Sequence, residues 1–138
     1  MSQSKSFTLL ESVIVLFIFA ALALCALSVP KESEAKMQTR FLKSYDSFFN
    51  QAQLLAQREN HDVDFIFKHR TITFISQKGQ KRELDIPKGL HAESRRLALK
   101  ANGYVAPTSI AFLDDRGKPR FSLVYSLGFG NYRVADRD

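Results

Sequence analysis

Cysteine is nearly absent from this sequence, and its scarcity limits how the fold can be stabilised. The single thiol, Cys25, lies inside a long apolar run. No intramolecular disulfide can form, so a hydrophobic core has to hold the fold together. Lipid acylation of Cys25 is disfavoured because bulky Leu24 precedes it, where lipoprotein signals place a small residue. A cysteine among apolar residues usually behaves as a small apolar side chain.

The sequence also lacks the patterns that indicate catalysis or metal binding. The three histidines, His61, His69 and His91, do not have the spacing of metal ligands. The GFG stretch at 128–130 is too short for a phosphate-binding loop, and no helix-forming segment follows it. We therefore expect no enzymatic activity, no metal site and no cofactor.

Acidic residues are fewer than basic residues in this sequence. The chain carries 20 Lys and Arg against 14 Asp and Glu, a formal net charge of +6. The simplest interpretation is an ordinary solvated surface, and a sharper one is non-specific contact with a DNA backbone. The candidate DNA-contacting residues are Lys68, Arg70, Lys81, Arg82, Arg95, Arg96 and Arg133.

One long apolar stretch dominates the start of the chain, over residues 7–29. A helix rises about 1.5 Å per residue, so this stretch could cross a bilayer core of about 30 Å. A secretory signal peptide is disfavoured by the length of the apolar region and by the single leader lysine, Lys5. A plain membrane anchor explains the length but not Glu11, because ionisable residues in membrane spans are rare and costly. A Glu11 that snorkels to the membrane surface is the simple alternative.

The stretch "SFTLLESVIVLFIFAALAL" resembles the N-terminal signal of type IV pilins and pseudopilins. That signal has a short polar leader, a cleavage site before Phe, a Glu at the fifth mature position and then a long apolar run. Here the cut would fall between Ser6 and Phe7, and Glu11 would be the fifth mature residue. Ser6 departs from the usual Gly before the cut but is also small.

This resemblance implies a role for Glu11. A prepilin peptidase would remove residues 1–6 and methylate the new amine of Phe7. The cationic amine and the Glu11 carboxylate would then pair between neighbouring subunits of a filament, where an unpaired buried carboxylate would be strongly destabilising. Phe7 and Glu11 are thus the expected subunit-assembly residues.

An amphipathic helix is predicted for residues 31–60. Apolar side chains recur at helical spacing and form a stripe that should pack on a sheet. The stripe consists of Met37, Phe41, Tyr45, Phe48, Ala52 and Leu55, widened by Leu42, Phe49 and Ala56. The charged residues 31–36 are expected to continue the helix from the apolar segment, with a short flexible linker as the alternative. Asn60 is a candidate for the left-handed position at the helix end.

From Asp62 the apolar period changes to two, which predicts strands. "DVDFIFK", "TITFIS" and "KRELDIP" indicate an antiparallel meander, and Ile110 and Phe112 should pair with Phe121, Leu123 and Tyr125 across the "DDRGK" turn. A last short strand should contain Tyr132 and Val134, whereas residues 88–107 show no pattern that places them. The predicted class is α+β, resembling type IV pilins: a long N-terminal helix, with a membrane half at 7–30 and an amphipathic half at 31–60, on one antiparallel sheet at 61–138.

The resemblance is strongest to ComGD-type minor pseudopilins of Gram-positive competence systems, with H-type minor pseudopilins as looser relatives. It implies a single-pass protein of the cell membrane whose globular part lies outside and which joins a surface filament. Its partners would be other major and minor pilins, the prepilin peptidase, the membrane through residues 7–29, and DNA without sequence preference. A pseudopilin of a type II secretion system, a minor pilin of another type IV system, and a membrane-anchored binding domain that never assembles are the alternatives.

Overall fold

The computed structural model describes residues 8–28, 32–126 and 131–136, which fall into two compact units. The described part of the first unit, Met1–Ser33, contains one helix, α1 (Leu9–Leu27). None of the α1 side chains is buried. At its end the backbone N–H and the hydroxyl of Ser28 both donate to the carbonyl of Leu24, at 3.0 and 2.7 Å, which satisfies a terminal carbonyl.

The second unit, Glu34–Asp138, begins with α2 (Glu34–Glu59). Its buried residues confirm the predicted stripe: Phe41, Tyr45, Phe48, Phe49, Ala52, Leu55 and Ala56. The expected continuous helix through 31–36 is wrong, because Glu32 and Ser33 lie outside both helices. The sequence offers a physical reason, since the proline at position 30 has no N–H to donate to a continuous helix.

Eight strands follow α2 in the described part of this unit. They are β1 (Val63–Phe67), β2 (Thr71–Ser76), β3 (Lys81–Asp85), β4 (Leu90–Ala92), β5 (Arg95–Leu99), β6 (Thr108–Asp114), β7 (Pro119–Tyr125) and β8 (Tyr132–Asp136). The antiparallel meander β1–β2–β3 and the β6–β7 hairpin are confirmed. The final strand β8 pairs with β7, as predicted.

The strands form two four-stranded antiparallel sheets, so the expectation of a single sheet is wrong. The first sheet has the order β3-β2-β1-β5 and the second has the order β4-β6-β7-β8. The division arises in residues 88–107, which the sequence could not place. They supply the adjacent strands β4 and β5, one to each sheet.

The apolar stripe of α2 packs on both sheets. Towards the first sheet, the ring of Phe48 lies 4.8 Å from that of Phe74 between centroids. Towards the second, the ring of Phe41 lies 5.4 Å from that of Phe112. Burying such aromatic side chains is the main source of stability for a unit without disulfides.

Candidate functional site

The start of α1 is capped by Thr8. Its backbone is extended (φ −72°, ψ 149°), and its hydroxyl accepts a hydrogen bond of 3.3 Å from the backbone N–H of Glu11. The Thr8 carbonyl accepts the first helical bond, from the N–H of Ser12 at 3.2 Å. Thr8 and Glu11 thus have the spacing and one of the two hydrogen bonds of a capping box.

This arrangement places the Glu11 carboxylate in the first turn of α1. A negative charge there is favoured by the partial positive charge of the helix N-terminus. Among the described residues Glu11 forms no ion pair, and it is exposed. Sequence reasoning missed the role of Thr8, although the T-x-x-E spacing was a readable signal. Ser6 and Phe7, the predicted cleavage residues, lie outside the described residues.

The rest of α1 presents an apolar surface on all sides. The helix is long and apolar enough to span a membrane. Large side chains around its whole circumference are exposed, from Leu9 (86 %) through Phe17 (74 %) to Leu27 (83 %). A helix that is apolar all round requires either a bilayer or a protein environment, so α1 supports a membrane anchor. Cys25 is exposed on this helix.

Four of the candidate DNA-contacting residues lie at one end of the first sheet. Lys68 and Arg70 form the turn between β1 and β2, and Arg95 lies opposite Phe67. Arg96 follows on the other face of β5, because successive side chains alternate. Three of these side chains face carboxylates: Arg70 with Asp115 at 3.7 Å, Arg95 with Glu93 at 3.6 Å and Arg96 with Asp64 at 2.7 Å.

The remaining candidates lie elsewhere. Lys81 and Arg82 begin β3 at the opposite end of the sheet, which the six residues of β2 separate by about 17–20 Å. The ammonium of Lys81 lies 2.9 Å from Glu83, and its hydrogen bond lowers the pKa of that carboxyl. Arg133 lies in the second sheet, opposite Val124. The structure therefore places four of the seven candidate residues at one end of the first sheet. Contact with DNA remains a prediction.

Histidine positions give little indication of metal chemistry. Within the described ranges, no group of three or more His, Cys, Asp or Glu side chains could hold a metal ion. His69 and His91 do come together, with ring centroids 4.4 Å apart in a stacked pair. Their contact lies where the β1–β2 turn meets β4, and the N–H of Ala92 donates to the carbonyl of His69 there at 3.2 Å. The pair thus links the two sheets.

Comparison with protein-family models, curated proteins and solved structures gives no match.

Proposed function

We propose that this chain is a minor pseudopilin, a subunit that joins a type IV filament through its N-terminal segment. The observation that carries the proposal is the position of Glu11. It stands in the first turn of an exposed apolar helix, at the spacing from Ser6 and Phe7 that the pilin signal requires. A separate α+β unit after this helix is compatible with the same architecture.

Cleavage before Phe7 would create a cationic amine four residues before Glu11. In a filament that excludes water from this end of the helix, the carboxylate needs a partner of opposite charge. The amine of a neighbouring subunit would supply it, and only one axial stagger would bring the two groups together. Thr8 adds a local role to this account, because its capping bond fixes the start of the helix that carries Glu11.

Within this class, a ComGD-type subunit of a competence pilus that assists DNA uptake is the preferred assignment. Its support is the likeness of "KSFTLLES" to that group and, for contact with DNA, the net charge of +6. Membership of a type II secretion system or of another type IV pilus is the alternative. A membrane-anchored domain that never assembles is the alternative from a different class.

Processing is the first test. We expect co-expression with a prepilin peptidase to shorten the chain by residues 1–6 and to leave N-methylated Phe7. Intact-mass measurement of the membrane-extracted protein checks this. A chain that keeps its leader beside an active peptidase, which cleaves a known prepilin in the same cells, would overturn the proposal.

Glu11→Gln then separates charge from helix capping. Glutamine can replace glutamate in a capping box, so the variant should keep its helix and its cleavage while losing incorporation into filaments. Thr8→Val is the matched control for helix capping. It removes the hydroxyl that accepts the capping hydrogen bond and keeps the negative charge of Glu11. Quantitative immunoblotting of sheared filaments measures the outcome. Equal incorporation of Glu11→Gln and the natural chain would contradict the role proposed for the carboxylate.

A further inference from the structure

A groove outside the N-terminal segment combines an apolar floor with two arginines. It lies between the second half of α2 and the strands β2 and β3, and its volume is about 480 Å³. That volume falls within the range of binding sites for small molecules and side chains. All of its lining residues belong to the second unit.

The helix contributes Gln51, Leu54, Leu55 and Arg58, which share one face at helical spacing. Leu54 is 66 % exposed, more than the two other large apolar side chains exposed in the described part of the second unit, Tyr104 and Val134. The sheet contributes Phe74, which is 2 % exposed. The exposed side chain of Leu54 and the buried ring of Phe74 give the groove an apolar contact surface. No other part of the described chain covers Leu54.

The charges of the groove have one sign. No carboxylate is among its lining residues. Arg82 donates a hydrogen bond of 3.4 Å to the side-chain carbonyl of Gln51, and Arg58 lies in the last turn of α2. Within the described ranges neither arginine forms an ion pair, whereas Arg70, Arg95, Arg96 and Arg120 each have a carboxylate partner.

We propose that this groove binds an acidic, apolar segment of a partner protein. An apolar side chain of the partner packs on Leu54, and its carboxylates pair with Arg58 and Arg82. Guanidinium groups suit carboxylates because they donate two parallel hydrogen bonds. A single-stranded nucleic acid fits less well, since stacking needs an exposed aromatic face and the aromatic ring in this groove, Phe74, is closed off. None of the residues that the proposal uses belongs to α1, so its test can fail without bearing on the role proposed for Glu11.

The test uses the full chain in neutral detergent micelles and two synthetic peptides. One has the sequence Leu-Glu-Leu-Asp-Leu with blocked ends, and the other carries Gln and Asn in place of Glu and Asp. We expect the acidic peptide to bind about tenfold more tightly by calorimetry, the difference that two exposed ion pairs can supply. Leu54→Gln should weaken the binding of both peptides.

The variant that removes both groove arginines, Arg58→Gln with Arg82→Gln, should abolish the tenfold preference. Its matched control is Arg116→Gln with Arg133→Gln, which removes the same charge at two arginines that do not line the groove. Equal affinity for both peptides, or equal loss in both double variants, would overturn the proposal. So would selective binding of a single-stranded oligonucleotide or of anionic lipid at the groove when the acidic peptide fails to bind.

Discussion

At the scale of single residues, Asn60 shows how one side chain ends a helix. Its φ of 52° places it in the left-handed region. Its N–H donates to the carbonyl of Gln57, and the N–H of His61 donates to that of Ala56, both at 3.3 Å. These two bonds form a Schellman motif, which satisfies carbonyls at the end of α2. The sequence prediction for Asn60 is confirmed.

Substitution of Asn60 should reveal its conformation. Alanine resists the left-handed region, so Asn60→Ala should lower the free energy of unfolding by about 1–2 kcal/mol. Asn60→Gly should change it by less than about 0.5 kcal/mol, because glycine adopts this conformation freely but gains entropy in the unfolded chain. Urea unfolding followed by circular dichroism compares the two. Equal losses in both variants would show that the conformation of this residue does not matter.

At the scale of elements, α2 and the second sheet share a tyrosine cluster. The hydroxyls of Tyr45 and Tyr125 are hydrogen-bonded to each other, and that of Tyr132 donates to the Asp46 carboxylate at 3.2 Å. Burial raises the pKa of Tyr45 and of Tyr125. Burial also raises the pKa of Tyr132, and the negative charge of Asp46 adds to the effect. The fold therefore favours neutral phenols.

This cluster predicts alkaline instability. Since these pKa values are raised on folding, the stability that the neutral phenols contribute is present below the usual value of 10.0 and is lost as the pH rises above it. Tyr132→Phe should make this decline in stability shallower, because the variant removes one ionising group. It keeps the aromatic ring that packs against Tyr45, with the two ring centroids 5.3 Å apart in the natural chain. Urea midpoints measured from pH 8 to 12 test the expectation. An identical slope for the variant and the natural chain would contradict it.

The strands differ in how well the sequence predicts them. The alternation of Val63, Phe65 and Phe67 placed β1, and similar patterns placed β2, β6 and β7, because each of these strands has a buried face. β3 and β8 have no buried residue, and they were placed by their position after turn-forming residues in the sequence. The three-residue β4 is too short to show a period, and β5 begins with two arginines. The count of sheets was also missed. The second neighbour of β1 is β5, far along the chain, and such pairing leaves no local signal.

Of the two candidate sites, the N-terminal segment could be predicted from the sequence and the groove could not. The position of Glu11 and the apolar helix followed from composition and spacing, because both are local properties of the chain. The groove was not predicted, since Arg58 and Arg82 belong to different elements of the chain and line one groove only in the folded unit. Leu54 offered a weak signal, as a large apolar residue beside the predicted stripe rather than at one of its positions.

At the scale of the whole molecule, the two units differ in whether their described residues form a buried core. In the described part of the chain, every buried apolar residue lies between Phe41 and Tyr125, and α1 contributes none. The second unit has a core of its own and a size at which many domains fold in one cooperative step. Its stability should therefore not depend on α1.

The whole-molecule prediction is that the fragment from Glu32 to Asp138 folds alone and remains in solution without detergent. A core substitution provides the matched test. Phe65 is fully buried, so Phe65→Ala should lower the free energy of unfolding by about 3–5 kcal/mol. Because α1 takes no part in this core, the loss should be equal in the fragment and in the full chain held in micelles. Urea unfolding in a fixed concentration of the same neutral detergent compares them directly. A fragment that binds hydrophobic dyes and unfolds without cooperativity, or a loss that differs by more than about 1 kcal/mol between the two chains, would mean that the N-terminal unit contributes to the stability of the second.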